Sequence, residues 1–507
     1  MILGRYIERN ARCFPQHPAI VFEGRSLTHL EFAKRVYRLA NALAARGIDP
    51  GERIAVLSQN CPEYLEAFGA ADTAGYILCG VNYRLAVPEQ AQILADCEPA
   101  VLLYEPQYAD RVAQLRTPKM LCIPWGAEYE ALLKTGSDAP PRYQPKPTDT
   151  CYLVYTSGTT GKPKGVMHSQ QGMLEATRAI SAAHSAQQCD RMLIVMPFYH
   201  IGGRIEQLNY HWVGATILLH RAFDAAAVLK NLQNATSAHL APVMIQAMLD
   251  LGVKGYDFSS LHTVCYASSP MSVAQLRRAI AEFGNIFMQV YGMTEHCLGS
   301  VLHKHQHKLE GNQTDIKRLA SAGQPFPECD ARVVRPDGSD CAVGEIGEVW
   351  LRSATIMQGY WRNPEATREA IGAGWFKTGD VGYFDEEAFL FIADRKKDMI
   401  CSGGENIYSR EVEEALAAHP AVAEVAVIGV PDPKWGEAVK AFVALKPGKS
   451  AGETDLIEHC RSLIASYKKP RSIEFMPALP RTNSTNKIDK KALREPYWGG
   501  RERRVVS

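Results

Sequence analysis

Tyr155-Thr-Ser-Gly-Thr-Thr-Gly-Lys-Pro-Lys-Gly165 is the stretch on which the reading of this sequence turns. The residues leading into it, Tyr152-Leu-Val-Tyr155, have the apolar run of a buried strand. Glycines such as Gly158 let backbone N–H groups approach a polyphosphate closely. The hydroxyls of Thr156, Ser157, Thr159 and Thr160 add donors, and Lys162 and Lys164 add positive charge. Strand, then hydroxyl- and glycine-rich loop, is the chemistry of a clamp for β- and γ-phosphates. A Walker-type loop is excluded. It needs four residues between Gly and Gly-Lys, then a Ser or Thr hydroxyl for magnesium. Here two residues separate Gly158 from Gly161, and Pro163 follows Lys162. Taken alone, the segment also fits a polar surface loop.

Outward from this loop the chain alternates helix and strand patterns. Leu30 to Arg46 carries Phe32, Val36, Leu39 and Leu43 on one helical stripe and ends at Gly47. Arg53–Ser58 predicts a strand, Glu63–Thr73 a helix and Tyr76–Cys79 a strand. Further strands are predicted near Met192–Met196, Thr216–Leu219 and Thr263–Tyr266. Such alternation predicts an α/β fold with a largely parallel sheet. The pattern changes near Asp394. Strand-like Glu345–Arg352 and Phe389–Ala393 precede it, and helices at Ser409–His419 and Leu456–Tyr467 follow, with strands at Val422–Val430, Val439–Leu445 and Ser472–Phe475. The expected architecture is a large N-terminal domain of layered α/β subdomains, 1–394, and a small mobile α+β domain, 395–507. The charged run 394–398 is the expected hinge.

Composition narrows the function classes. With 507 residues the chain is expected to form more than one domain. A formal net charge of +1 supplies no global field for nucleic acid or an acidic membrane. The tail Arg501-Glu-Arg-Arg504 is a short charge run, expected to be solvated. Thirteen cysteines without a CxxC spacing signal neither a zinc nor a dithiol site, and fit a reducing cytoplasm. The first nine residues are too charged for a signal peptide, and no apolar run reaches the ~20 residues of a membrane span.

Four further segments stand in a fixed order with the first. They are Tyr291-Gly-Met-Thr-Glu295, Gly374-Trp-Phe-Lys-Thr-Gly-Asp380, Asp394-Arg-Lys-Lys-Asp-Met-Ile-Cys-Ser-Gly-Gly-Glu-Asn406 and Pro480-Arg-Thr-Asn-Ser-Thr-Asn-Lys487. Together they resemble the motif series of the adenylate-forming superfamily, in its acyl-CoA synthetase and aryl-CoA ligase branch. The resemblance implies a two-step ligase using ATP, Mg2+ and coenzyme A. A carboxylate attacks the α-phosphate, giving acyl-AMP and diphosphate; the small domain then rotates and the thiol of CoA displaces AMP. Negative charge meets negative charge in the first step, so the site must neutralise it.

On that resemblance Lys487 bridges carboxylate and α-phosphate, Thr294 contacts the α-phosphate and Glu295 is the magnesium ligand, a hard donor for a hard cation. Asp380 holds the ribose hydroxyls with support from Arg395, Tyr291 stacks on adenine, and Asn406 joins the nucleotide set. Lys397 takes the hinge position, and Gly403 and Gly404 the loop that faces the CoA arm. Read singly, Thr294-Glu295 is equally a helix cap, Asp380 a turn aspartate, Lys397 a solvated charge and Tyr291 a packing residue. Three positions depart from the pattern. Asn486 replaces the usual Gly before the catalytic lysine, Cys401 stands where aryl ligases often have lysine, and Val290 replaces a Gly that borders the acid pocket.

Met196-Pro-Phe-Tyr-His200 resembles the segment ending in a gating histidine. After it, Ile201, Ile205, Leu208 and Trp212 form one helical stripe. The other face carries Gly202, Gly203, Arg204, Glu206, Gln207, Asn209 and His211. Arg204 is expected either to pair with Glu206 on an outward face or to reach a polar group of the acid; an unpaired arginine against an apolar chain is costly. The expected acid is fatty, aromatic or alicyclic, in a pocket that includes His200, Arg204 and Val290, and the expected state is monomer or homodimer. Two other functions fit the motifs: a stand-alone adenylation enzyme loading a carrier protein or passing the adenylate to oxygen, and an inactive nucleotide-binding protein. No carrier domain is expected in the roughly 20 residues after Lys487.

Overall fold

The computed structural model describes residues 2–157, 163–269, 271–402, 405–482 and 487–499, with Ser157 placed by its backbone. The chain packs as two units. One comprises 1–331 with 351–376, the other 332–350 with 377–507. The second unit therefore takes in two segments upstream of the 394–398 run.

The first unit is built on two sheets with helices against them. The nine-stranded sheet runs Gln324–Pro325, Ser300–Leu302, Phe287–Tyr291, Thr263–Tyr266, Ser237–Leu240, Arg191–Ile194, Thr216–Leu219, Pro18–Phe22, Arg25–Thr28. Its middle is parallel, as in the pairing of His239 with Cys265, and its margins are antiparallel. The seven-stranded sheet runs Gly359–Tyr360, Pro163–Ser169, Thr150–Ser157, Ile77–Gly80, Arg53–Leu57, Val101–Tyr104, Leu121–Pro124. Its last five strands are parallel and Pro163–Ser169 turns back antiparallel on Thr150–Ser157.

Local chemistry sets the helix ends. Thr28 accepts from the Glu31 N–H while the Glu31 carboxylate receives the Thr28 N–H at 2.9 Å, a reciprocal cap that starts His29–Ala44. Pro62 opens Pro62–Ala74, where a missing N–H costs nothing, and Gly75 ends it with φ 75°. Strands such as Ile77–Gly80 and Val101–Tyr104 are apolar almost throughout because helices cover the sheet. The core beneath the nine-stranded sheet is drawn from Leu193, Leu229, Ile245, Leu276 and Phe287, all at most 1% exposed.

In the second unit, Trp375–Phe384 pairs antiparallel with Leu390–Arg395 from Asp380↔Arg395 to Phe384↔Leu390. A separate sheet orders Glu405–Ile407, Ile400–Ser402, Gly436–Leu445 and Val422–Asp432, with Ser472–Phe475 parallel to Gly436–Leu445. Ser409–Ala417 and Glu453–Leu463 pack over an Ile400, Val412, Leu416, Val427, Leu456 core. The predicted helix to Tyr467 stops at Leu463, because Ile464 is extended (φ −132°, ψ 166°) and Tyr467 lies on the surface. Among the described residues no helix is long and apolar enough to cross a membrane.

Candidate active site

The strand pair Thr150–Ser157 and Pro163–Ser169 is the scaffold of the first set of expected residues. Thr156 faces Lys164 across the pair, and Ser157 faces Pro163. Gly158, Thr159, Thr160 and Lys162 lie outside the described residues. Gly165 sits where an added Cβ would come within 2.8 Å of the Leu153 side chain and 3.1 Å of the Tyr155 ring, so a larger residue there would have to displace them.

Lys164 leads to an unforeseen residue. Its Nζ lies 5.0 Å from the Tyr360 ring centroid, a cation–π distance. The Tyr360 hydroxyl donates to Glu295 Oε1 at 3.1 Å. Burial, then the Glu295 charge, raises the Tyr360 phenol far above its ordinary value, so it remains a donor. Tyr360 is held in place because Gly359–Tyr360 pairs with Val166 and Met167, and the Trp361 N–H donates to the Gly165 carbonyl at 2.7 Å. The cation of the loop and the carboxylate of the second motif are thus joined through one phenol. The only sequence hint was an aromatic pair, Tyr360-Trp361, after a glycine.

Thr294 and Glu295 lie in a non-helical connection after Phe287–Tyr291, so neither caps a helix. Gly292 is required here: a Cβ would stand 2.0 Å from the Cys297 carbonyl oxygen. Tyr291 ends its strand with its ring 5.4 Å from that of His296.

The second set belongs to the other unit. Asp380 and Arg395 are strand partners, and Arg395 Nε lies 2.7 Å from Asp380 Oδ1. Asp380 is buried and its N–H donates to Thr378 Oγ1 at 3.0 Å. Lys487 keeps much of its surface in solvent. Crowding by its neighbours, then the Arg395 charge, lowers its ammonium pKa, and Asp380 opposes them. Two cations therefore share the field of one carboxylate. Lys397 is exposed in the turn after Arg395. Its flanks are tied down: Asp394 Oδ2 accepts the Ser409 N–H at 2.5 Å, and Asp398 pairs with Arg494 at 2.7 Å. Burial would raise the Asp398 carboxyl, but Arg494 and Lys490 hold it below the ordinary range. Asn406 faces Cys401 across Ile400–Ser402 and Glu405–Ile407, with Cys401 Sγ 3.5 Å from its Oδ1. Gly403, Gly404 and Asn486 lie outside the described residues.

The acid-pocket residues divide. A cleft of about 240 Å³, mouth included, is lined by Phe68, Tyr152, Phe198, Tyr199, His200 and Arg204 among others. Val290 is buried in its strand beside Val301 and is not part of that lining. His200 precedes the helix Ile201–Val213, its ring 4.5 Å from that of Tyr199. The expected outward pair of Arg204 with Glu206 is not formed. Both faces of this helix are buried, and Arg204 is 1% exposed. Arg204 pairs with Asp72, donates to the Tyr152 hydroxyl at 2.5 Å and to Gln207, and lies 4.4 Å from the Phe68 ring centroid. Burial alone would weaken its charge; Asp72 more than offsets this and holds the guanidinium firmly protonated. The polar face is inside because the partner, Asp72, lies on a helix distant in sequence.

The chain matches the family model "AMP-binding enzyme" over residues 7–361 and the model "AMP-binding enzyme C-terminal domain" over residues 411–486. It belongs to the AMP-binding enzyme family. A feruloyl-CoA synthase of Amycolatopsis sp is 38% identical over 98% of this chain and 99% of that protein. A fatty acid–[acyl-carrier-protein] ligase of Streptomyces coeruleorubidus is 34% identical over 97% of this chain and 95% of its own. The o-succinylbenzoate CoA synthetase of Bacillus subtilis, solved with its acyl-adenylate, superposes with a TM-score of 0.86 at 29% identity, covering 96% of this chain and 97% of that one. Within the family the chain is an acyl-CoA synthetase, an acid–thiol ligase that uses ATP and CoA, as the resemblance of its motifs implied.

Proposed function

We propose that this ligase activates a ring-bearing carboxylic acid, with the two residue sets dividing the work. The observation that carries the division is the grouping of Asp380, Arg395 and Lys487. Asp380 and Arg395 hold the ribose, and Lys487 neutralises the approach of carboxylate to α-phosphate. The Lys487 ammonium pKa is lowered by desolvation and by the Arg395 charge, with Asp380 opposing. Thr156, Ser157, Gly158, Thr159, Thr160 and Lys164 cradle the phosphates, Thr294 contacts the α-phosphate, and Tyr291 covers the base. Asn406 lies with the nucleotide set. Glu295, oriented by Tyr360, fits a Mg2+ ligand, and the ion would supply charge neutralisation on the phosphates. Lys397 serves as the hinge of a C-terminal domain taken as 395–507, and Gly403 and Gly404 face the CoA arm. A cytoplasmic monomer or homodimer completes the reading.

The ring preference is supported by the aromatic lining of the cleft. The relative that acts on feruloyl-CoA chemistry supports it too. The Arg204 charge is already committed to Asp72, so His200 is the polar group proposed to orient the carboxylate. A second reading, transfer of a fatty acyl group to a carrier protein, is favoured by the carrier-protein ligase relative.

Diphosphate release over short, long-chain, aromatic and alicyclic acids, followed by thioester analysis with free CoA and with a phosphopantetheinyl carrier, separates the two. Aromatic acids and CoA should give the highest kcat/KM; a long-chain optimum or a carrier-only product overturns the first reading. Lys487→Ala should lower adenylation by about 10²–10³-fold while sparing thioester formation from supplied acyl-AMP. Equal loss in both half-reactions removes Lys487 from the proposed role.

A further inference from the structure

Four side chains that no motif connects meet in the interior of the first unit. His239 and Cys265 are register partners on adjacent parallel strands, Ser237–Leu240 and Thr263–Tyr266, so their side chains emerge on the same face. His184 is the last residue of the helix Gln170–His184, and Glu206 lies in Ile201–Val213. The ligand atoms of His184, Glu206 and Cys265 all lie within 4.8 Å of one another, and among the described residues no other group of three has this arrangement. His184 Nε2 is 3.5 Å and His239 Nδ1 3.7 Å from the same oxygen, Glu206 Oε1.

These separations are too long for hydrogen bonds. His184 Nε2 and both ring nitrogens of His239 are buried and have no hydrogen-bond partner. Leaving such atoms unpaired in the interior is costly unless something binds them. The spacing has a simple meaning. A tetrahedral zinc with bonds of about 2.0–2.1 Å to nitrogen and oxygen and 2.3 Å to sulfur holds its ligand atoms about 3.3–3.6 Å apart. The observed 3.5 and 3.7 Å are close to that. Drawing in the widest pair among His184, Glu206 and Cys265 takes about 1 Å of side-chain movement, and His239, which lies outside that 4.8 Å group, has to swing further.

We propose that His184, Glu206, His239 and Cys265 form a structural site for one divalent transition-metal ion of the zinc type. The donor set, two imidazoles, a carboxylate and a thiolate, suits a borderline-soft ion and not magnesium or calcium. Outer partners are in place: Tyr210 Oη lies 3.2 Å from His184 Nδ1, and Asn209 Nδ2 donates to Glu206 Oε2 at 3.1 Å. Four protein ligands leave no open position, and none of the four lines the cleft, so the site is a staple and not a reaction centre. It ties two sheet strands to two helices, and Gly202 of the second helix lies so close that a Cβ there would be 3.3 Å from His239 Cε1. Binding forms one bond from the ion to each of the four ligand atoms, displaces the ion's waters and releases the Cys265 proton, together with that of Glu206 where its carboxyl is protonated; no electron is transferred.

The full-length protein, stripped with a chelator under a non-thiol reductant, is titrated with Co2+ and separately with Zn2+ against a chromogenic indicator. The site requires one tight equivalent, ligand-field bands of a tetrahedral ion and a thiolate-to-cobalt charge-transfer band. Cys265→Ser should lose that band, and Glu206→Gln or His239→Phe should weaken binding about 10-fold or more. X-ray absorption at the zinc edge of the wild-type protein covers the case of a variant that does not fold, and should report a single sulfur in a nitrogen and oxygen shell. No tight equivalent, a band that persists in Cys265→Ser, or a zinc shell without sulfur overturns the site.

Discussion

Along one stripe of the Ile201–Val213 helix, Arg204, Gln207 and His211 are buried among partners; along the neighbouring stripe, Glu206 and Asn209 are buried with several polar atoms unmatched. In the first cluster Asp72 meets the Arg204 charge, and Tyr152 bridges them, donating to Asp72 Oδ1 at 2.7 Å while accepting from Arg204. Gln207 accepts from Arg204 and pairs with His211 Nδ1 at 2.5 Å, and His211 Nε2 lies 2.9 Å from the Ala19 carbonyl. That carbonyl can only accept, so the proton is on Nε2 and Nδ1 accepts from Gln207. Burial keeps His211 neutral by lowering its pKa to about 3. In the second cluster Glu206 is pushed up to about 7 by burial, with Asn209 and Cys265 opposing. A closed network stabilises by its own contacts, whereas an open one of this composition waits for a ligand.

The largest effect should come from opening the closed network. Arg204→Ala or Asp72→Ala strands a buried charge and should cost about 3–5 kcal/mol in urea unfolding. Arg204→Met combined with Asp72→Leu should recover most of it, since no charge is then left unpaired. A double variant as unstable as the sum of the singles would contradict the pairing.

Next comes the pH response of Glu206. An acid whose folded pKa is raised from 4.5 to about 7 is favoured in its protonated form by folding. Its penalty is absent below the unfolded pKa and grows as pH rises towards the folded one, by about 1.4 kcal/mol per unit. In the presence of chelator, Glu206→Gln should therefore gain on wild type by about 3 kcal/mol between pH 4.5 and 7. Zinc should reverse the trend, because the carboxylate is then a ligand. A difference that is flat with pH under chelator rejects the neutral buried acid.

Gln207→Met leaves the His211 acceptor unmatched and should cost about 1–3 kcal/mol. The smallest change is expected for Asn209→Leu, under about 1 kcal/mol without metal, because the lost hydrogen bond is balanced by removal of an already unmatched carbonyl. Equal losses at Gln207 and Asn209 would erase the distinction between the two clusters.

Much of the fold was legible. Thr216–Leu219, Thr263–Tyr266 and Ser472–Phe475 are strands over the expected residues, because short apolar runs between turns have few alternatives. Lys487, Asp380 and Arg395 could be picked out as candidates because each sits in a local motif, and the structure makes Asp380 and Arg395 strand partners. Tyr360 was not, since a tyrosine after glycine carries no signal until a strand pairing brings it to Glu295. The helix after His200 misled for a related reason. A polar stripe reads as a solvated face, and only partners remote in sequence make it an interior one.

The sequence by itself determined the family and the two-part α/β organisation, because these rest on neighbours within a few residues. The tertiary structure alone decided that Arg204 belongs to Asp72, that Tyr360 joins Lys164 to Glu295, and that His184, Glu206, His239 and Cys265 converge. Burial and pairing depend on distance in space, and parallel strands joined through helices bring together residues that no spacing along the chain connects.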